Sequence, residues 1–304
     1  KKIEINEQEL RAIQYDFSDF DSGNEYIDPA HLYTYDLDVF GDYSLFQYIN
    51  RTSTPVGKQH LADWFNAHLE LKESIEQRQE AIRELSTDLE YRQQIRLFGL
   101  LYKGKPADTN EIREWAGSPS YYRKHTLLRI IPTVVSIINL ICIGSAIVGI
   151  LPATVPGGVF FCFVIFSSIF SKGITKLQAT YGKKLQILST YADQILLTEK
   201  KEMNSPVLQQ LKTELTSQNQ TASQAVRQLS KLMNALDQRS NLLMSTILNG
   251  LIFWELRQVM RIEKWKETHA SDLPRWIETI GEIDAYCSLA TVSYTHLTLP
   301  TICS

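Results

Sequence analysis

The chain has 304 residues and a net charge of −3, from 31 Lys and Arg against 34 Asp and Glu. That balance excludes a histone-like polyelectrolyte and any nucleic-acid binder working by net charge alone. A hydrophobic share of 44% excludes a disordered chain, and the length allows about two domains.

The charge is uneven. Residues 1–42 carry eleven acidic side chains and three basic ones, leaving 28 basic and 23 acidic for the rest. Between Asp16 and Asp42 the interleaved Phe17, Phe20, Tyr26, Tyr33 and Tyr35 read as an acidic linker that docks on a folded surface. Thr54-Pro55 then supplies an N-cap followed by proline at the first helical position. Leu61, Trp64 and Phe65 fall on one face of that helix. Ser74 with Gln77 has the form of a capping box ahead of a charged helix. Its narrow stripe of Ile75, Ile82, Leu85 and Leu89 is that of a packing seam.

From Ile130 to Ser171 forty-two consecutive residues carry no formal charge. A membrane-crossing helix needs about 20 apolar residues, so the run predicts two spans. These are Ile130–Leu151 and about Val155–Ser171, with a turn at 152–158 marked by Pro152, Pro156, Gly157 and Gly158. Tyr121, Tyr122, Arg123, Lys124 and Arg129 precede the run, and Lys172, Lys176, Lys183 and Lys184 follow it. By the positive-inside rule both outer ends face the cytoplasm of a bacterial-type inner membrane, with the turn outside. The spans hold no ionisable side chain, which suits an anchor and not an ion pathway.

Beyond the hairpin, residues 173–202 read as one helix continuing the second span. Ser205-Pro206 caps another helix, and Ala225, Leu229, Leu232, Met233 and Leu236 mark a face of the next. A long helix is expected over Ser245–Thr268, and a last one over Ser271–Ala290. No run alternates with period two, so the fold class is all-α. The tail from Ser293, SYTHLTLPTICS, resembles translated adapter sequence at the end of a broken reading frame.

Chemistry-bearing motifs are few. Gly99 to Pro106 approaches a phosphate loop, but Pro106 stands where a metal-binding hydroxyl is required, and the segment reads as a helix C-terminus. Phe253-Trp254-Glu255 has a Phe-x-Glu form, read here as core packing within a helix. His60 and His68 read as surface residues, and the six histidines share no metal-ligand spacing. Cys142, Cys162, Cys287 and Cys303 form neither a disulfide framework nor a zinc site. No catalytic, cofactor-binding or metal-binding residue is assigned.

Two segments are more specific. Leu37-Asp38-Val39-Phe40-Gly41, Ser44-Leu45-Phe46-Gln47-Tyr48-Ile49-Asn50-Arg51-Thr52, Thr54-Pro55-Val56-Gly57-Lys58 and Ile75-Glu76-Gln77-Arg78 follow one another at the start. Near the end stands Gly281-Glu282-Ile283-Asp284-Ala285-Tyr286-Cys287-Ser288-Leu289-Ala290. Together they resemble the opening and closing stretches of the core (lever) domain of the MutS family of mismatch-repair ATPases.

The resemblance implies a long-helix lever bundle, here interrupted by a two-helix transmembrane hairpin. It implies Leu45, Phe46 and Ile49 buried, and Asn50 and Thr52 hydrogen-bonded at a helix-to-loop junction. The organisation expected is a linker at 1–36, core at 37–126, hairpin at 127–172, core again at 173–292 and the tail at 293–304. The ATPase domain would follow Ala290. ATP and Mg would bind there and not in this fragment, and homodimerisation would run through that domain. The implied partners are the lipid bilayer and, with no support from net charge, mismatched DNA. The alternative expectation is a non-enzymatic, membrane-anchored helical scaffold that binds partner proteins.

Overall fold

The computed structural model describes residues 1–101, 106–152, 154–216, 221–237 and 242–296. Its helices are α1 (Lys2–Ile13), α2 (Leu45–Ile49), α3 (Pro55–Asn66), α4 (Lys72–Ser86), α5 (Leu89–Leu101), α6 (Pro106–Gly117) and α7 (Thr126–Ile147). There follow α8 (Thr154–Lys200), α9 (Pro206–Glu214), α10 (Ala222–Asp237), α11 (Leu242–Ile252), α12 (Trp254–His269) and α13 (Asp272–His296). Among the described residues there is no strand, only an isolated bridge between Thr216 and Thr221. The all-α expectation holds.

The chain divides into two compact units. One comprises residues 1–113, 190–224 and 272–304, the other residues 114–189 and 225–271.

The first unit is organised around α13, which packs on α3, α4, α5 and α9. Phe46, Leu61, Ala62 and Ala285 form its core, with Val39 and Phe40 from the acidic stretch. Burying each such side chain contributes about 1.5–3 kcal/mol. The caps lie where the sequence puts them: Thr54 Oγ1 accepts from Gly57 N at 3.0 Å, and Ser205 accepts from Leu208 N at 3.4 Å. The acidic stretch docks as expected, with Phe20 buried and Tyr33 donating to Phe65 O at 2.7 Å.

Several expectations are corrected here. Ser74 caps nothing, because α4 begins three residues earlier than that role requires: Lys72 already lies in the helix and Leu71 is its N-cap. The buried seam of α4 is Ala81 and Leu85, whereas Ile75 and Leu89 face outward. Leu45 is exposed as well, since only Phe46 of that pair points into the core. His60 is half-buried beside Glu278. Residues Lys2–Ile13, within the expected linker, form α1 and bury Ile5 and Ala12.

In the second unit, Trp115 stacks on Trp265, whose indole N–H donates to Ala225 O at 2.8 Å. The loop entering α7 is pinned to α12. Glu263 accepts the backbone N–H groups of Tyr121, Tyr122 and Arg123 at 2.9, 3.1 and 2.7 Å. Lys266 donates to Ser118 O at 2.6 Å.

Of the two expected spans, α7 alone is long and apolar enough to cross a membrane, at 22 residues. The second is a shorter apolar stretch, Thr154–Phe170, at the start of the 47-residue α8. The turn lies earlier than expected, with Gly149 at φ 79°. Pro156, Gly157 and Gly158 are helical instead, because proline fits the first turn of a helix, where its missing N–H has no partner to lose. The expected helix over Ser245–Thr268 is broken at Phe253, which takes φ 52°, ψ 51° and separates α11 from α12. The last helix runs past Ala290 to His296, and most of the expected tail, residues 297–304, lies outside the described residues.

Candidate functional site

The two sequence stretches that carry the resemblance meet in the first unit. Asp284 on α13 accepts from Ser53 N at 2.9 Å, and from the N–H and hydroxyl of Thr54, both at 2.8 Å. Its other oxygen accepts from the Ser53 hydroxyl at 3.0 Å. One turn on, the Ser288 hydroxyl accepts from Arg51 N at 2.7 Å and donates to Ile49 O at 2.8 Å. Asn50 completes the junction by accepting from the N–H and hydroxyl of Thr52 and donating to Asp21 O at 3.0 Å. The last turn of α2 and the first of α3 are thus tied to α13 through the Asp284 and Ser288 side chains.

The junction is buried and close. Burial pushes the Asp284 carboxyl above its ordinary value, while the donors from Ser53 and Thr54 oppose that shift. A side chain at Gly57 would collide with Asp284, and one at Gly281 with Val56, so glycine is what lets α3 and α13 approach. Burial also raises the Cys287 thiol and the Tyr91 phenol well above their usual ranges, leaving both neutral.

Beside the junction lies an arginine pair. Glu9 of α1 accepts from Arg51 Nε at 2.9 Å and from Arg96 Nη1 at 2.6 Å. The Arg51 guanidinium stacks over the Phe20 ring at 3.7 Å. A cavity of about 340 Å³ opens next to it, lined by Asp21, Thr52, Lys58 and Arg96 among others. Its cations are already engaged: Arg96 by Glu9, and Lys58 by Asp21 and Glu25. No group of three metal-binding side chains occurs among the described residues. Gly99, from the phosphate-loop look-alike, sits inside α5 against Ser53 and Gln194, and residues 102–105 of that motif lie outside the described residues.

The second unit carries a different surface. On α7, Pro132, Val135 and Asn139 are buried, whereas Leu140 is 74% exposed and Ile147 80% exposed. On α8, Phe161, Ile165 and Ile169 recur at every fourth residue and are exposed too. Apolar side chains cover the outside, and the one amide of α7 is inside. Soluble monomers rarely expose apolar patches of that kind without a partner or a membrane to cover them. The Phe-x-Glu segment belongs to this unit. Phe253 is buried among Phe163, Phe166 and Phe170, so it packs in a core as expected, but at a helix break.

An all-helical core domain, closed by contacts between the sequence motifs near its two ends, is the class that this geometry defines. The model of one protein family, MutS domain III, matches residues 32–290, and the chain belongs to the MutS family through that domain. Comparison with curated proteins and with solved structures returns no match.

Proposed function

We propose that this chain is the core of a membrane-anchored MutS-like protein, with α7 and the apolar start of α8 as its anchor. The observation that carries the reading is the position of α7. A 22-residue helix, uncharged after Arg129 and with apolar side chains outward, lies inside the stretch that matches domain III. The basic and aromatic residues ahead of it and in its first turn, Tyr121 to Arg129, support an orientation with both ends of the anchor on the cytoplasmic side.

In this reading the first unit is a mechanical element. Asp284 and Ser288 hold the two ends of the domain together, so that motion at one is felt at the other. ATP and Mg would bind in an ATPase domain elsewhere in the parent protein, which would also make the homodimer. Mismatched DNA is the ligand that the family suggests for that parent. The scaffold reading rests on the outward Ile75 and Leu89, which could seat a partner helix.

Reporter fusions to the chain at residues 155 and 220 test the anchor. The expected result is an external signal at 155 and a cytoplasmic one at 220. A cytoplasmic signal at both positions overturns it.

A further inference from the structure

We infer that α11 is a third membrane element: a half-depth helix whose outer face lies against the acyl chains of the cytoplasmic-side leaflet. The inference rests on the anchor reading of α7. Three observations in the second unit carry it.

The first is polarity turned outward. α11 has the sequence LLMSTILNGLI, without a charge. Leu243 is 78% exposed, and Met244 and Ile247 are about half exposed. Two of its three polar side chains, Ser245 and Asn249, point the other way, with Thr246 exposed: Ser245 donates to Glu255 Oε1 at 2.9 Å, and Asn249 Nδ2 donates to the same oxygen at 2.8 Å. A helix facing water shows the reverse arrangement.

The second is the way the helix ends. A helix C-terminus leaves its last four carbonyls without intrahelical donors, and in hydrocarbon no water is available to satisfy them. Here the protein supplies every donor. Asn139 Nδ2, from the middle of α7, donates to Gly250 O at 2.9 Å and to Leu251 O at 3.0 Å. Arg257 Nε donates to Ile252 O at 2.9 Å, and Phe253 N to Asn249 O at 3.1 Å. The break at Phe253 is thereby closed against its surroundings.

The third is depth. Asn139 lies nine residues past Ile130, where the uncharged run begins, or about 14 Å along a helix axis, which places the C-terminal end of α11 near the middle of a hydrocarbon core about 30 Å thick. Eleven residues of helix measure about 16 Å, too short to span and long enough to cover half of it. The outer faces of α7 and α11 then form one continuous lipid-facing surface.

Spin labels placed singly at positions 140, 243, 247 and 231 of the full chain test this. Cys142, Cys162, Cys287 and Cys303 are first replaced by alanine, and the protein is reconstituted in vesicles of phosphatidylcholine and phosphatidylglycerol. Each labelled side chain is outward, so folding is preserved. Collision with oxygen and with a water-soluble nickel chelate reports the environment. The expected result is an oxygen-to-nickel ratio severalfold higher at 140, 243 and 247 than at 231 on α10. A high ratio at 140 with a low one at 243 and 247 overturns the inference and leaves the anchor standing. Low accessibility to both probes at 243 and 247 means that protein, not lipid, covers α11, and also overturns it. A low ratio at 140 overturns the anchor reading itself.

Discussion

Thr54 N donates to Asp284 Oδ2 at 2.8 Å, across 230 residues of sequence. The contact joins the N-cap of α3 to the middle of α13, and Asp284 is the common acceptor of four donors at that point. Three of these donors converge on Oδ2, and the Ser53 hydroxyl alone meets Oδ1.

Replacing Asp284 therefore tests the closure. Asp284→Ala leaves buried N–H groups without partners and is expected to cost about 3 kcal/mol. Asp284→Asn should cost less, about 1 kcal/mol, because its amide oxygen can take the three donors of Oδ2 while its NH₂ donates to the Ser53 hydroxyl, which also accepts. Equilibrium unfolding of the detergent-purified chain measures both. An Asn variant as unstable as the Ala variant would mean that the charge, and not the hydrogen-bond set, matters at this position.

Glu9 is the counter-charge for two arginines, of which Arg51 is nearly sealed from solvent. Glu9→Gln leaves that buried charge uncompensated, and the expected loss is about 3 kcal/mol. A second substitution, Arg96→Met, removes one of the stranded cations and should recover part of it. Unfolding of the single and double variants makes the comparison.

Burial holds His60 below its ordinary value, with Glu282 and Asp63 opposing and Arg113 reinforcing the shift. The unfolded chain thus binds a proton at His60 more readily than the folded one does. The stability involved is fully present above about pH 6.5 and is lost as pH falls through the lower folded value. Glu282 is shifted upward by burial and has the opposite slope at lower pH. His60→Gln should flatten stability just below pH 6.5 and leave the lower-pH slope in place, as read from unfolding midpoints across a pH series.

What the sequence discloses here is local. Thr54-Pro55 and Ser205-Pro206 mark helix starts because a cap acts over three residues. The uncharged run from Ile130 disclosed α7 because length and charge are properties of the string itself. Phe253 gave no such signal. An aromatic residue rarely adopts positive φ, so the run across it read as one helix and concealed α11. Likewise Ser74 matched a capping pattern, but the start of α4 was set by packing of Ala81 and Leu85. The closing motif was visible as a string, yet the role of Asp284 as an acceptor emerges only once α13 is laid against α3. His60 looked like a surface residue because Glu278, which partners it, is 218 residues away.

The first unit is assembled from three stretches, with the second unit's residues threaded between them. During synthesis the donors at Ser53 and Thr54 therefore wait for Asp284. At about 5–20 residues per second that interval is on the order of tens of seconds. Within it α7 leaves the ribosome, so in the anchor reading its apolar face would be committed to the membrane before α13 exists. The order of events is thus fixed by topology: commitment of the middle of the chain comes first, and the early helices must remain soluble without their final partner until the end arrives.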